Sequence, residues 1–142
     1  MEMEAIRAPG ALVEAEVGFA AGPRGRGVAY ARLAGGDPPK LLRIVFHAKN
    51  REAGERAAAY AAVTAVMQSL VRRGCREARL VVADAEFAEE ISSGRGVDER
   101  LTLPYVRLRC LLNSLAKFAV KPGSVEDLTQ RARAEVALNV AA

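Results

Sequence analysis

At 142 residues and a net charge of +4, the chain is sized for one domain, 1–142, with a sizeable core. No apolar run approaches the ~18 residues needed to cross a bilayer, and two cysteines, Cys75 and Cys110, make neither a disulfide framework nor a metal motif. The chain opens with acids rather than with a basic region and an apolar stretch, so a cytoplasmic protein with reduced thiols and no membrane partner is expected.

Residues 1–10 carry no pattern, end in Pro9-Gly10 and read as a flexible arm. Leu12 to Ala20 then alternates, with Val13, Ala15, Val17 and Phe19 on one face and Glu14 and Glu16 on the other, which predicts a strand. Such a strand is either a wet edge strand or a central one with its acids covered. Ala21 to Gly27 is a turn rich in glycine and arginine. Its glycines let the backbone approach a phosphate chain closely, although the stretch lacks the Lys-Ser/Thr ending of a P-loop and reads first as a plain hairpin loop. Val28 to Leu33 and Leu41 to His47 are two further strands, joined through the Gly35–Pro39 turn, so the first three strands form an antiparallel meander. His47, the one histidine, reads as a surface group at a strand end.

A long helix follows, from Glu52 to Arg73, without proline and dominated by alanine and straight-chain residues. Steps of three and four from Glu55 give Ala59, Ala62, Val63, Val66 and Leu70, one apolar stripe with Glu55 at its N-terminal end. A carboxylate on a face meant for burial costs several kcal/mol unless it is compensated. Gly74 is a left-handed cap, and Ala78 to Ala83 a short apolar strand covered on both faces. This strand follows a crossover helix, so it lies parallel to a strand of the meander. Asp84 stands where it leaves the sheet, the end at which ligands collect in open α/β folds. Asp84 is also placed to cap the helix Ala85 to Ser92.

Ser93 to Gly96 breaks the chain. Thr102 to Leu115 is a helix burying Leu108, Leu111, Leu112 and Leu115, with Arg107 and Arg109 outside. Lys117 to Val120 is a short fifth strand, and Ser124 with Asp127 opens a last helix to about Val140. Arginine supplies 17 of the 21 basic residues, which points to nucleic acid, although a GC-rich genome or a hot habitat yields the same composition.

Three antiparallel strands, a long helix, a strand, helices, a strand and a helix form an order that resembles ribonuclease H type 1. The stretch EVGFAAGPRGRG is similar to the family's first strand and glycine-rich turn, with Glu16 at the aspartate and Pro23 and Gly27 in step. NREAGE resembles the start of the family's long helix, with Glu55 at the catalytic glutamate. DAEF resembles the end of its fourth strand, with Asp84 at the aspartate. The resemblance covers about Leu12 to Ala137. The chain departs from the pattern in carrying glutamate as its first acid and Asn50-Arg51 for a double asparagine. The family's fourth aspartate falls on Gln130, with Asp127 about a turn early, and Val120 stands where a loop histidine would.

The resemblance implies an α/β ribonuclease H-like fold, a five-stranded mixed sheet of order 3-2-1-4-5 with helices on both faces. It implies catalytic acids Glu16, Glu55 and Asp84, with Asp127 as the candidate fourth. The first three would be ligands to Mg²⁺ or Mn²⁺, two ions ~3.5–4 Å apart serving a phosphodiester hydrolase. The substrate it implies is the RNA strand of an RNA–DNA hybrid, read through its 2′-hydroxyls and phosphates. Arg24, Arg26 and Arg51 are then candidate nucleic-acid contacts. The alternative is a catalytically inactive module of the same fold that binds nucleic acid or self-associates as a homodimer. A third reading makes Glu55 a buried carboxylate paired with an arginine.

Overall fold

The computed structural model describes residues 12–35, 39–49 and 54–141. Its strands are β1 (Leu12–Ala21), β2 (Arg26–Leu33), β3 (Lys40–His47), β4 (Glu77–Val82) and β5 (Lys117–Pro122). Its helices are α1 (Glu55–Arg72), α2 (Ala85–Ser93), α3 (Thr102–Asn113) and α4 (Glu126–Ala141), with one 3-10 turn, Glu99–Leu101, ahead of α3. The sheet order is β3-β2-β1-β4-β5, as the resemblance implies. Strand β1 runs antiparallel to β2 and parallel to β4, and β4 is parallel to β5. It is therefore central, so the edge-strand reading does not hold; Glu14 nevertheless stays exposed, while Glu16 is half-buried. Among the described residues no helix is long and apolar enough to cross a membrane.

The alternation of β1 decides what lies on each side. Val13, Ala15 and Val17 face a core that takes in Ala29, Ala31 and Leu42 of the meander and Ala59, Ala62, Val63, Val66 and Leu70 of α1. Small side chains at Ala59 and Ala62 let α1 lie close to the strands, and the larger residues then fill the remaining space at near-crystalline density. Glu14, Glu16 and Gly18 point the other way, toward α4. There a smaller cluster joins Val28 and Tyr30 of β2 to Val125, just ahead of α4, and to Leu128 and Ala132 of α4. Arg109, expected outside, is half-buried instead, because its guanidinium lies 5.0 Å from the Phe118 ring and donates to the Ile91 carbonyl.

Two features seat α4. Gly18 leaves room for its backbone: a Cβ there would come within 2.5 Å of the Thr129 amide nitrogen and 2.6 Å of the Leu128 Cβ. Ion pairs then fasten it to the meander. Arg32 bridges Glu16 and Asp127, and Arg43 together with the Tyr30 hydroxyl holds Glu135. These contacts, Arg43 first, pull the Glu135 carboxyl down to about 2.

Two predictions follow from this seating. Gly18→Ala should lower the unfolding free energy by about 1–3 kcal/mol, as overpacking does, with the loss read from the midpoint of a urea titration. Because Glu135 titrates lower folded than unfolded, its contribution is present above the ordinary carboxylate range and is lost as pH falls toward about 2. Glu135→Gln should flatten the acid limb of a stability-against-pH curve, and an unchanged limb would show that Glu135 carries none of it.

Candidate nucleic-acid and metal site

At the C-terminal end of β1 lies a cavity of about 450 Å³. Its walls come from the β1–β2 turn, the start of α1, the end of β4 and one side of α4. Glu55, Asp84, Thr129 and Arg133 are the side chains in it that carry chemistry, beside Phe19, Ala20 and the glycines Gly22, Gly25 and Gly54. Gly25 sits at φ +86° with its carbonyl taking the Ala48 amide, 2.8 Å away, so the turn folds down against the chain after β3. A side chain there would be strained by that φ and would strike the Ala48 oxygen at 2.3 Å.

The structure brings two of the predicted carboxylates into this cavity, Glu55 and Asp84. Glu55 is the first residue of α1 and is exposed, because the apolar stripe it heads begins only one turn further in. It has no ion pair among the described residues, so it is not the buried, arginine-paired carboxylate of the third reading. Asp84 does cap α2: its Oδ1 accepts the Glu86 amide at 2.9 Å and the Phe87 amide at 3.1 Å. Its Oδ2 lies 3.4 Å from Nε of Arg56.

Glu16 is elsewhere. In the parallel register Glu16 stands opposite Val81, so the residue level with Asp84 is Phe19, three further along each strand. At ~3.3 Å per residue Glu16 falls about 10 Å short of Asp84. Its side chain also points to the α4 face, where it accepts from Nε of Arg32 at 2.7 Å. Asp127 is on the same guanidinium, which holds its carboxyl below the usual range. Glu16 and Asp127 are thus joined through Arg32 rather than to the other two acids. Arg24 and Arg26 do not line the cavity either; they open onto a groove on the α4 side of the turn. Arg51 lies outside the described residues.

The residues that the sequence reading missed are Arg56, Glu90, Tyr60 and Arg133. Glu90, on α2, is buried with a side chain 6 % exposed, and Arg56 reaches it at 2.6 Å. The Tyr60 hydroxyl donates to the other Glu90 oxygen at 2.6 Å. Burial, and then this bond, push the Tyr60 hydroxyl well above its usual range, so it stays a neutral donor. The Arg56 guanidinium meets Glu86 as well, so one cation serves Asp84, Glu86 and Glu90. The spacing of four between Glu86 and Glu90 puts both acids on one face of α2 and is a signal visible in the sequence. Thr129 and Arg133 are likewise four apart on α4, a spacing that the count toward a fourth aspartate passed over.

These residues do not fit a pair of divalent cations. The expected convergence of three carboxylates is absent: among the described residues no group of three or more His, Cys, Asp or Glu side chains could hold a metal ion. Of the two acids present, Asp84 spends one oxygen on backbone amides and the other on a guanidinium. One fixed cation, Arg56, already sits on Asp84, and a second guanidinium, Arg133, lines the same cavity.

Removing Arg56 should expose this dependence. Arg56→Gln leaves Glu90 buried and short of its cation, a loss of about 3–5 kcal/mol by denaturant titration. Glu55→Gln, at an exposed carboxylate, should stay within about 0.5 kcal/mol of the unmodified chain. Equal losses from the two changes would contradict this assignment.

No protein-family model matches the chain, and no curated protein matches it. Solved structures do. A type 1 ribonuclease H from the halophilic archaeon Halobacterium salinarum is 18% identical with a TM-score of 0.68, over 91% of this chain and 99% of that one. The N-terminal ribonuclease H domain of a Mycobacterium tuberculosis protein, solved as a fusion with maltose-binding protein, is 18% identical with a TM-score of 0.69, over 92% and 99%. A type 1 ribonuclease H isolated from compost, in complex with an RNA/DNA hybrid, is 10% identical with a TM-score of 0.64, over 92% and 99%. Likeness at these identities is a likeness of fold.

Proposed function

From a chain with the ribonuclease H fold, at an identity that fits a divergent member, we propose a nucleic-acid-binding module that does not cleave through paired divalent cations. One observation carries this reading: the cavity holds two carboxylates, one of them already engaged by Arg56, with Arg133 beside them. An anionic backbone entering it would meet the Arg133 guanidinium, beside a Thr129 hydroxyl that donates to the Val125 carbonyl. A guanidinium favours phosphate over any particular base. The net charge of +4 acts in the same direction at longer range. An RNA–DNA hybrid is the proposed ligand, since a solved structure of this fold holds one.

A second reading keeps a Mg²⁺- or Mn²⁺-dependent hydrolase, and Glu55 is what favours it. Its carboxylate lines the cavity beside Asp84 without an ion pair among the described residues. Under that reading Glu55→Gln would abolish cleavage of the hybrid with the fold intact.

The deciding experiment follows an end-labelled hybrid by gel and by fluorescence anisotropy. We expect binding that is the same in EDTA as in Mg²⁺ or Mn²⁺, and no cleavage with either ion. Arg133→Gln should weaken binding by about five- to tenfold, the equivalent of ~1–1.4 kcal/mol. Cleavage that depends on the metal and vanishes in Glu55→Gln would replace this reading with the second.

A further inference from the structure

The β1–β2 turn has two sides. Gly22 and Pro23 line the cavity just described and also a second, open groove of about 660 Å³ on the α4 face of the sheet. The polar side chains in its walls are Arg24, Arg26, Arg43, Glu135 and Asn139, and three valines line it as well.

The charge of this groove is settled by which groups are already spent. Glu135 is its acid, and it is bound by Arg43 and by the Tyr30 hydroxyl. The Arg24 and Arg26 side chains are exposed and have no ion pair among the described residues. Arg26 stands directly opposite His47 in the β2–β3 register. Both are on the α4 face, since Val28 and Tyr30 face α4 two and four residues after Arg26, while Phe46, next to His47, packs in the other core. Lys49, also exposed, follows two residues later. Cationic and neutral donors thus gather at one end of the groove, and the carboxylate there is neutralised before any ligand arrives.

The groove is also continuous with the cavity. Arg133 and Asn139 lie six residues apart on α4, one in each depression. At 1.5 Å per residue that is about 9 Å along the helix, a distance that one strand can bridge across the turn. Among the described residues no aromatic side chain lines this groove to stack on a base, and Tyr30 is buried, with the Arg131 guanidinium 4.9 Å from its ring. Recognition here therefore has only the backbone to act on.

We propose that this groove is a second phosphodiester-binding site, which takes the continuation of the nucleic-acid strand held in the Glu55–Asp84 cavity, through Arg24 and Arg26 and without regard to sequence. The proposal rests on the nucleic-acid reading above, and a salt titration separates the two. Each phosphate neutralised on a single strand contributes about 0.7 to the slope of log K against log salt. The Arg24→Gln, Arg26→Gln double variant should flatten the slope by about 1.4 with a single-stranded probe and weaken binding equally for unrelated sequences. Glu135→Gln should do the opposite, steepening the slope by about 0.7 as Arg43 is released to a third phosphate.

Binding by the unmodified chain with a slope that neither variant changes would overturn the groove and leave the cavity reading standing. Binding of neither the single strand nor the RNA–DNA hybrid by the unmodified chain at low salt would overturn both. Displacement of the strand by inorganic phosphate at constant ionic strength would make this a free-phosphate site and overturn the polymer proposal.

Discussion

The burial of one carboxylate governs the rest of this molecule. Glu90 sits in the α1–α2 interface with almost no access to water, and a charge there is sustained only by groups that bond it directly. Arg56 supplies the charge and Tyr60 the second hydrogen bond. Tyr60 is itself clamped edge-on against Phe87 and Tyr105, at ring separations of 5.0 and 6.3 Å. So the start of α1 is tied to α2 through polar contacts that leave little freedom to either. The same guanidinium reaches Asp84, and in doing so it sets the chemistry of the neighbouring cavity. A residue recruited to satisfy a buried acid thereby neutralises the acid at the end of β4.

Helix α4 is held by a different kind of contact. Asp127, Arg131 and Glu135 follow each other at intervals of four and so share a face. They meet Arg32, the ring of Tyr30, and Arg43 with the Tyr30 hydroxyl in turn. Partly exposed pairs of this sort contribute roughly 0–1 kcal/mol each. Their effect is to fix the rotation of the helix, and that rotation sends Thr129 and Arg133 to one depression and Asn139 to the other. The close approach at Gly18 makes this rotation narrow, since the helix backbone rests on the strand.

Much of the architecture was legible in the chain itself. The alternation of β1, the alanine-rich stripe of α1 and the apolar run of β4 are local periodicities, and each dictates an element and its buried face without outside help. Their order, with short loops and right-handed crossovers, then leaves few ways to arrange the strands. Asp84 as a helix cap was equally local, a matter of three residues. Glu55 beside Asp84 was readable because both lie at the ends of elements that must meet at one edge of the sheet.

What the chain alone left open was decided by register and by face. Whether Glu16 could join Glu55 and Asp84 depends on a three-residue offset between β1 and β4 and on which side of the sheet an even-numbered side chain points. The face follows from the local alternation, but the offset is not encoded near Glu16: it is set by how two distant strands settle against their helices. The partners of Arg56 and Arg32 are likewise 16 to 95 residues away, and an arginine in a sequence carries no sign of which carboxylate it will meet. Short-range pattern therefore determined the elements and the fold. Only tertiary packing could decide which charges cancel and which remain for a ligand, because electrostatic pairing acts through space while sequence patterns act along the chain.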